Sequence, residues 1–259
     1  MPAAMLGFDI LAFPLLIAAA AVAFVAGAVK GAVGFALPML MVSGLGSFLP
    51  ADVAVAALIG PTLATNGVQA FRQGGRAAWT ALKAHRRYLL VAGGVLVVSA
   101  QLLAAVDGRA ILALIGAPIV AFAAAQLAGW RPSIGPEGRG RAELGFAVVS
   151  GFFGGLAGVW GPPLVMYLTA LDTPKTEQVR VQGVAFGLAA LLLLAAHLES
   201  GVVNAGTAPL SLALIVPAML GMWAGAAVHD RLDQAVFRRA TLVVLVLAGL
   251  NLLRRALFG

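Results

Sequence analysis

Lys30 is the only basic residue before Arg72, and it lies inside the apolar stretch GAVKGAVGFALP, residues 27–38. An amine at membrane depth needs a counter-charge or a polar lining, so an ionisable residue there points to a site for an anion. The alternative is that the first segment ends at Lys30 and the side chain reaches the interface. A second polar group follows in PTLATNGVQAFR, where Thr62, Thr65, Asn66 and Gln69 stand at i, i+3, i+4 and i+7. On a helix these four share one face. Such amides are costly against lipid, so the face either lines a substrate path, with Asn66 and Gln69 as its contacts, or bonds to neighbouring helices. Gln178 and Gln182 repeat the i, i+4 spacing further on, and Gln182 is the second-half candidate. Asp9, Asp52, Asp107, Glu137, Glu143, Asp172, Glu177, Glu199, Asp230 and Asp233 all fall at segment ends or in loops. That placement leaves no mid-membrane carboxylate for a proton relay or a cation site and suits an anion. The chain has no cysteine, and His85, His197 and His229 flank loops without a metal-ligand spacing. No catalytic residue, metal or cofactor is expected, and the chain does not read as an enzyme.

The elements that would position these groups are written twice. Gly27 and Gly151, Gly31 and Gly155, Gly34 and Gly158, Pro38 and Pro162, and Pro50 and Pro174 each stand 124 residues apart. One constant offset over five Gly/Pro pairs marks a duplicated unit. Each copy lies in an apolar run and is followed by a short one, Phe35–Leu49 and Pro162–Leu171. At 1.5 Å per residue these reach about 22 Å and about 15 Å, less than the roughly 30 Å hydrocarbon core. Proline suits a first helical turn. Each copy therefore reads as a hairpin that dips toward the midplane and returns by a short helix whose N-terminus favours an anion. Gly31, Gly34, Gly158 and Gly161 would admit a ligand to the backbone, with Phe35, Pro38, Trp160 and Pro162 around them. The competing reading makes Gly27, Gly31 and Gly34 a small-residue packing face. The copies are unequal, because Gly154 matches Lys30 while the second brings Trp160 and a second proline, Pro163.

The surroundings are those of a membrane. Hydrophobic residues make up 61% and charged residues 10% of 259, far below the charge a soluble domain carries. Apolar runs fall at 8–33, 35–49, 52–71, 88–106 and 109–128, then at 143–159, 162–171, 176–197, 208–228 and 235–257. The fold class expected is an all-α integral membrane protein with about eight to ten transmembrane segments. The organisation expected is a first repeat over 1–129, a cytoplasmic linker over 130–142 and a second, inverted repeat over 143–259, in one integrated membrane domain. The N-terminal run lacks a basic region and is too long for a signal peptide, so it reads as retained. The net charge of +7 is concentrated in RQGGRAAWTALKAHRR, the linker and the Arg231 to Arg239 loop, whereas the loop from His197 to Thr207 has no Lys or Arg. This marks cytoplasmic loops rather than a nucleic-acid surface. Five segments per half put both termini outside and invert the second copy, a transporter signature.

GAVKGAVGFALPML, its repeat GFFGGLAGVWGPPLVMYL, and the later NGVQAFRQGG and RVQGVAFGL resemble the sulfite exporter TauE/SafE family, from about Val22 onward. The resemblance implies a multi-pass permease of the bacterial inner membrane that carries sulfite, a sulfonate or another organosulfur anion. The expected mechanism is alternating access, and the expected partners are a small anion and the lipid bilayer. An anion channel or a carrier of small carboxylates is the alternative.

Overall fold

The computed structural model describes residues 13–100, 108–130, 134–157 and 160–258. Eleven α-helices run through the described residues, with no strand. In order they are α1 (Phe13–Val33), α2 (Leu37–Leu45), α3 (Ala51–Phe71), α4 (Gly75–Ala84), α5 (Arg86–Ala100), α6 (Gly108–Leu127), α7 (Pro136–Ala157), α8 (Gly161–Ala170), α9 (Lys175–Glu199), α10 (Ala208–Arg231) and α11 (Gln234–Phe258). Every apolar run predicted from the sequence contains a helix, so the all-α class stands. Five of them, α1, Asp52–Phe71 of α3, α9, α10 and α11, are long and apolar enough to cross a membrane. The chain is a multi-pass membrane protein.

One expected loop is a helix. RQGGRAAWTALKAHRR contains α4, which turns Ala78 and Ala81 inward while Trp79 is 56% exposed with the Lys83 ammonium over its ring. Charge drew attention away from the i, i+3 spacing of those alanines.

The chain divides into two compact units, 1–74 with 183–232, and 75–182 with 233–259. Each draws on both sequence halves. In the first, α1 lies along α10; in the second, α7 lies along α5. Both pairings are parallel and built on glycine. A Cβ on Gly27 would overlap the Ala218 carbonyl, one on Gly31 the Met222 carbonyl, one on Gly221 the Phe24 carbonyl and one on Gly225 the Ala28 carbonyl. On the other pair, a Cβ on Gly151 would overlap the Ala92 carbonyl, and Ser99 Oγ donates to the Gly151 carbonyl at 3.1 Å. Bare glycine faces let helix backbones touch where lipid gives no hydrophobic drive to association. In the first unit, Ala19, Ala23, Ala26, Leu37, Met41, Leu45, Leu58, Leu214 and Ala218 form a closed apolar core between α1, α2, α3 and α10.

Candidate functional site

In the first unit three parallel helices end together. Phe24, Ala28 and Ala32 of α1 run level with Gly221, Gly225 and His229 of α10, and a ring nitrogen of His229 lies 3.1 Å from the Ala32 carbonyl. On α3, Gly60 N–H donates to Ser211 Oγ at 2.9 Å, and Arg72 pairs with Asp230 at 2.6 Å. Lys30, in the last turn of α1, is 1% exposed. Its Nζ donates to Asn66 Oδ1. With Oδ1 accepting from Lys30, the other amide atom, Nδ2, points away. Nδ2 is buried and has no hydrogen-bond partner among the described residues. Among those residues no carboxylate pairs with Lys30 either; Asp230 and Asp172 pair with Arg72 and Arg238. A buried lysine amine and a buried, unpartnered N–H donor therefore stand side by side.

Gln69, one turn further along α3, donates from Nε2 to the Gly34 carbonyl at 2.8 Å. That bond ties down the turn after α1, where Gly34 (φ 90°) and Ala36 (φ 78°) are both left-handed. Glycine takes this conformation freely and alanine does not, so Ala36 is the strained member. The turn delivers α2 with Pro38 in its first turn and no side chain capping its N-terminus. Phe35 is buried beside it. α9 closes the site with glycines: a Cβ on Gly183 would come within 2.6 Å of Ala70 N, and one on Gly187 would sit 3.7 Å from Asn66 Cβ.

Several expectations change here. The α3 stripe is buried throughout, but its members divide. Thr62 Oγ1 donates to the Leu58 carbonyl at 2.6 Å and Thr65 Oγ1 to the Pro61 carbonyl at 2.7 Å, so the hydroxyls serve their own helix. Asn66 reaches α1 and Gln69 reaches the turn after it. Gly31 admits no ligand on its α10 side, because α10 backbone covers the place a Cβ would take; with Gly27 it follows the packing reading. Lys30 does not reach solvent. The turn after α1 lies where neighbouring helices also end: α1 is 21 residues long and ends level with α3 and α10. From Asn66 to Arg72 is six residues, about 9 Å along the helix, so the Lys30–Asn66 pair lies that far inside the Arg72–Asp230 rim.

The second copy sits in the other unit. Pro162 and Pro163 open α8, whose N-cap Trp160 supplies no capping side chain. Trp160 is folded back on α7, its carbonyl accepting from Ser150 Oγ at 2.8 Å, and Gly154 leaves room for its Cβ. Gly161 begins α8. Gly158 lies outside the described residues. Gln182 on α9 is wholly buried, and neither of its amide atoms has a partner among the described residues. Gln178 Nε2, one turn away, is likewise buried without one.

Sequence reasoning did not single out Gly183, Gly187, Gly221 or Gly225, and it set His229 aside as a residue flanking a loop. Gly221 and Gly225 carry a legible signal, two small residues four apart in an apolar helix.

These features define a multi-pass, all-helical membrane protein with a buried polar cluster around Lys30 among parallel helix ends. Residues 19–252 match the family described as Sulfite exporter TauE/SafE, and the chain belongs to that family of membrane transporters. No curated protein and no solved structure matches it.

Proposed function

We propose that the protein is a secondary transporter of a small anion, in the sulfite, sulfonate and organosulfur class, and that the anion is held by Lys30 Nζ and Asn66 Nδ2. The observation that supports this most is the buried Lys30 with no carboxylate partner among the described residues, joined to an amide whose remaining donor is unpartnered. A buried charge of this kind is costly unless something pairs with it, and an anionic substrate is the missing partner. The uncapped N-terminus of α2, a few residues beyond Lys30, adds the positive end of a helix dipole. Gln69 holds the turn that aims it, while Gly34, Phe35 and Pro38 shape its wall.

Within the second unit, Gln182 and the uncapped α8 start at Trp160, Gly161 and Pro162 are the counterpart of the first copy in a duplicated, inverted chain. The basic loops lie in the cytoplasm and both termini outside, in a bacterial inner membrane. Access alternates, the site opening to one side at a time. Uptake by purified protein in liposomes tests the reading, with sulfite, alkyl sulfonates, thiosulfate and small carboxylates as separate arms. Saturable uptake of a sulfur oxyanion, competed by its relatives, is the expected result. Uptake of carboxylates alone would move the substrate class, and ion currents of channel size would replace the carrier.

A further inference from the structure

The second unit contains a cavity of about 510 Å³ between α6, α7 and α8. Leu114, Pro118, Gly145, Phe146, Val149 and Met166 are among its lining residues, and every lining residue is apolar or glycine. It reaches the protein surface, because Leu114 is 61% and Val149 41% exposed. On a membrane protein such apolar flanks face lipid acyl chains. A wholly apolar cavity offers nothing to the small anion of the transport site, but it suits a hydrocarbon chain.

A cationic cluster lies at one end of this cavity. Arg139 and Arg141 occupy the α7 turn that runs straight into the lining residues Ala142, Gly145 and Phe146. The Arg87 guanidinium comes to the same turn, 3.5 Å from where a Cβ on Gly140 would stand. Tyr167 joins the two regions: its ring centroid is 5.7 Å from that of Phe146, and its hydroxyl lies beside the Arg139 guanidinium. Glu137 and Glu143 share this end of α7, but Arg86, Arg87, Arg139 and Arg141 outnumber them and all four arginines are exposed. Basic pockets between membrane helices on the side of the positive loops are suited to anionic headgroups.

We propose that this unit binds one anionic phospholipid of the bilayer, with an acyl chain in the α6–α7–α8 cavity and the headgroup phosphate on Arg87, Arg139 and Arg141. A zwitterionic lipid of the same chains would fill the cavity without net attraction to the cluster. Free phosphate would meet the cluster without the cavity. Selectivity needs both ends on one molecule.

Native mass spectrometry of the purified full chain, exchanged with phosphatidylglycerol or with phosphatidylcholine of identical chains, tests this. One phosphatidylglycerol should be retained per chain, at least about tenfold over phosphatidylcholine. Gly145→Leu is the decisive variant. Nothing lies within 4 Å of a Cβ at this position, so the leucine enters the cavity without displacing protein atoms. It should abolish retention at unchanged folded yield. Arg139→Gln with Arg141→Gln should bring phosphatidylglycerol down to the phosphatidylcholine level, and millimolar inorganic phosphate should not displace the bound lipid. Equal retention of the two lipids, full retention by Gly145→Leu, or displacement by phosphate alone would overturn the proposal.

Discussion

Replacing Lys30 by methionine keeps the length of the side chain and removes its charge. A cation and an anion about 4 Å apart attract by about 4 kcal/mol at an effective dielectric of about 20, the value suited to protein sites. At 1.4 kcal/mol per tenfold, that is a loss of roughly a thousandfold in anion affinity. The Asn66 Nδ2 donor survives and retains about 1 kcal/mol of binding. Stability should move differently. The variant no longer buries a charge without a counter-ion, a penalty of several kcal/mol, and this exceeds the roughly 1–3 kcal/mol lost by leaving Asn66 Oδ1 without its donor. Lys30→Met should therefore melt no lower than the parent protein while losing its anion-dependent thermal shift and saturable liposome uptake. Binding within about threefold of the parent, measured by titration calorimetry, would refute the assignment of Lys30 to the anion. So would a lowered melting temperature with intact uptake, which would make Lys30 a structural residue.

Asn66→Asp places a carboxylate against Lys30 and supplies internally the charge that the anion would bring. Uptake should vanish while the melting temperature holds or rises, and retained uptake would show that the anion sits elsewhere. Gly34→Ala forces a φ of 90° on a residue with a Cβ and should cost about 1–2 kcal/mol, read as a lower thermal midpoint in detergent. Gly225→Leu drives a side chain into the Ala28 backbone and should cost more than Gly34→Ala, with lower yield of folded protein; equal yields would mean that α1 and α10 do not depend on this contact. Arg72→Ala removes an ion pair whose side chains are 35% and 57% exposed, and the thermal midpoint should shift by no more than about 1 kcal/mol allows.

The two Gly/Pro copies illustrate what each level of description supplies. Composition and run length determined the membrane class and the helices, because a chain in lipid must satisfy its backbone within each segment. Proline at 38 and 162 marked the starts of two short helices, since only a first turn tolerates a missing N–H so readily. The polar face of α3 was legible from its spacing, and Lys30 from its isolation in an apolar run.

What lay beyond the sequence was the division of labour among those residues. A glycine in an apolar helix looks the same whether a ligand or another helix fills its empty side. Gly31 proved to face α10 backbone, while Gly34 turns the chain. A polar stripe does not say which members bond to their own helix, as Thr62 and Thr65 do, and which reach across, as Asn66 does. The level of the first turn against its neighbours was not legible, because length measures one helix at a time. Its level is fixed by the neighbours it ends beside, α3 and α10, which come from different halves of the chain. Lys30 thus owed its candidacy to sequence alone. Its pairing with Asn66, and the donor left over, were decided only by tertiary contact, because they depend on which helices lie side by side.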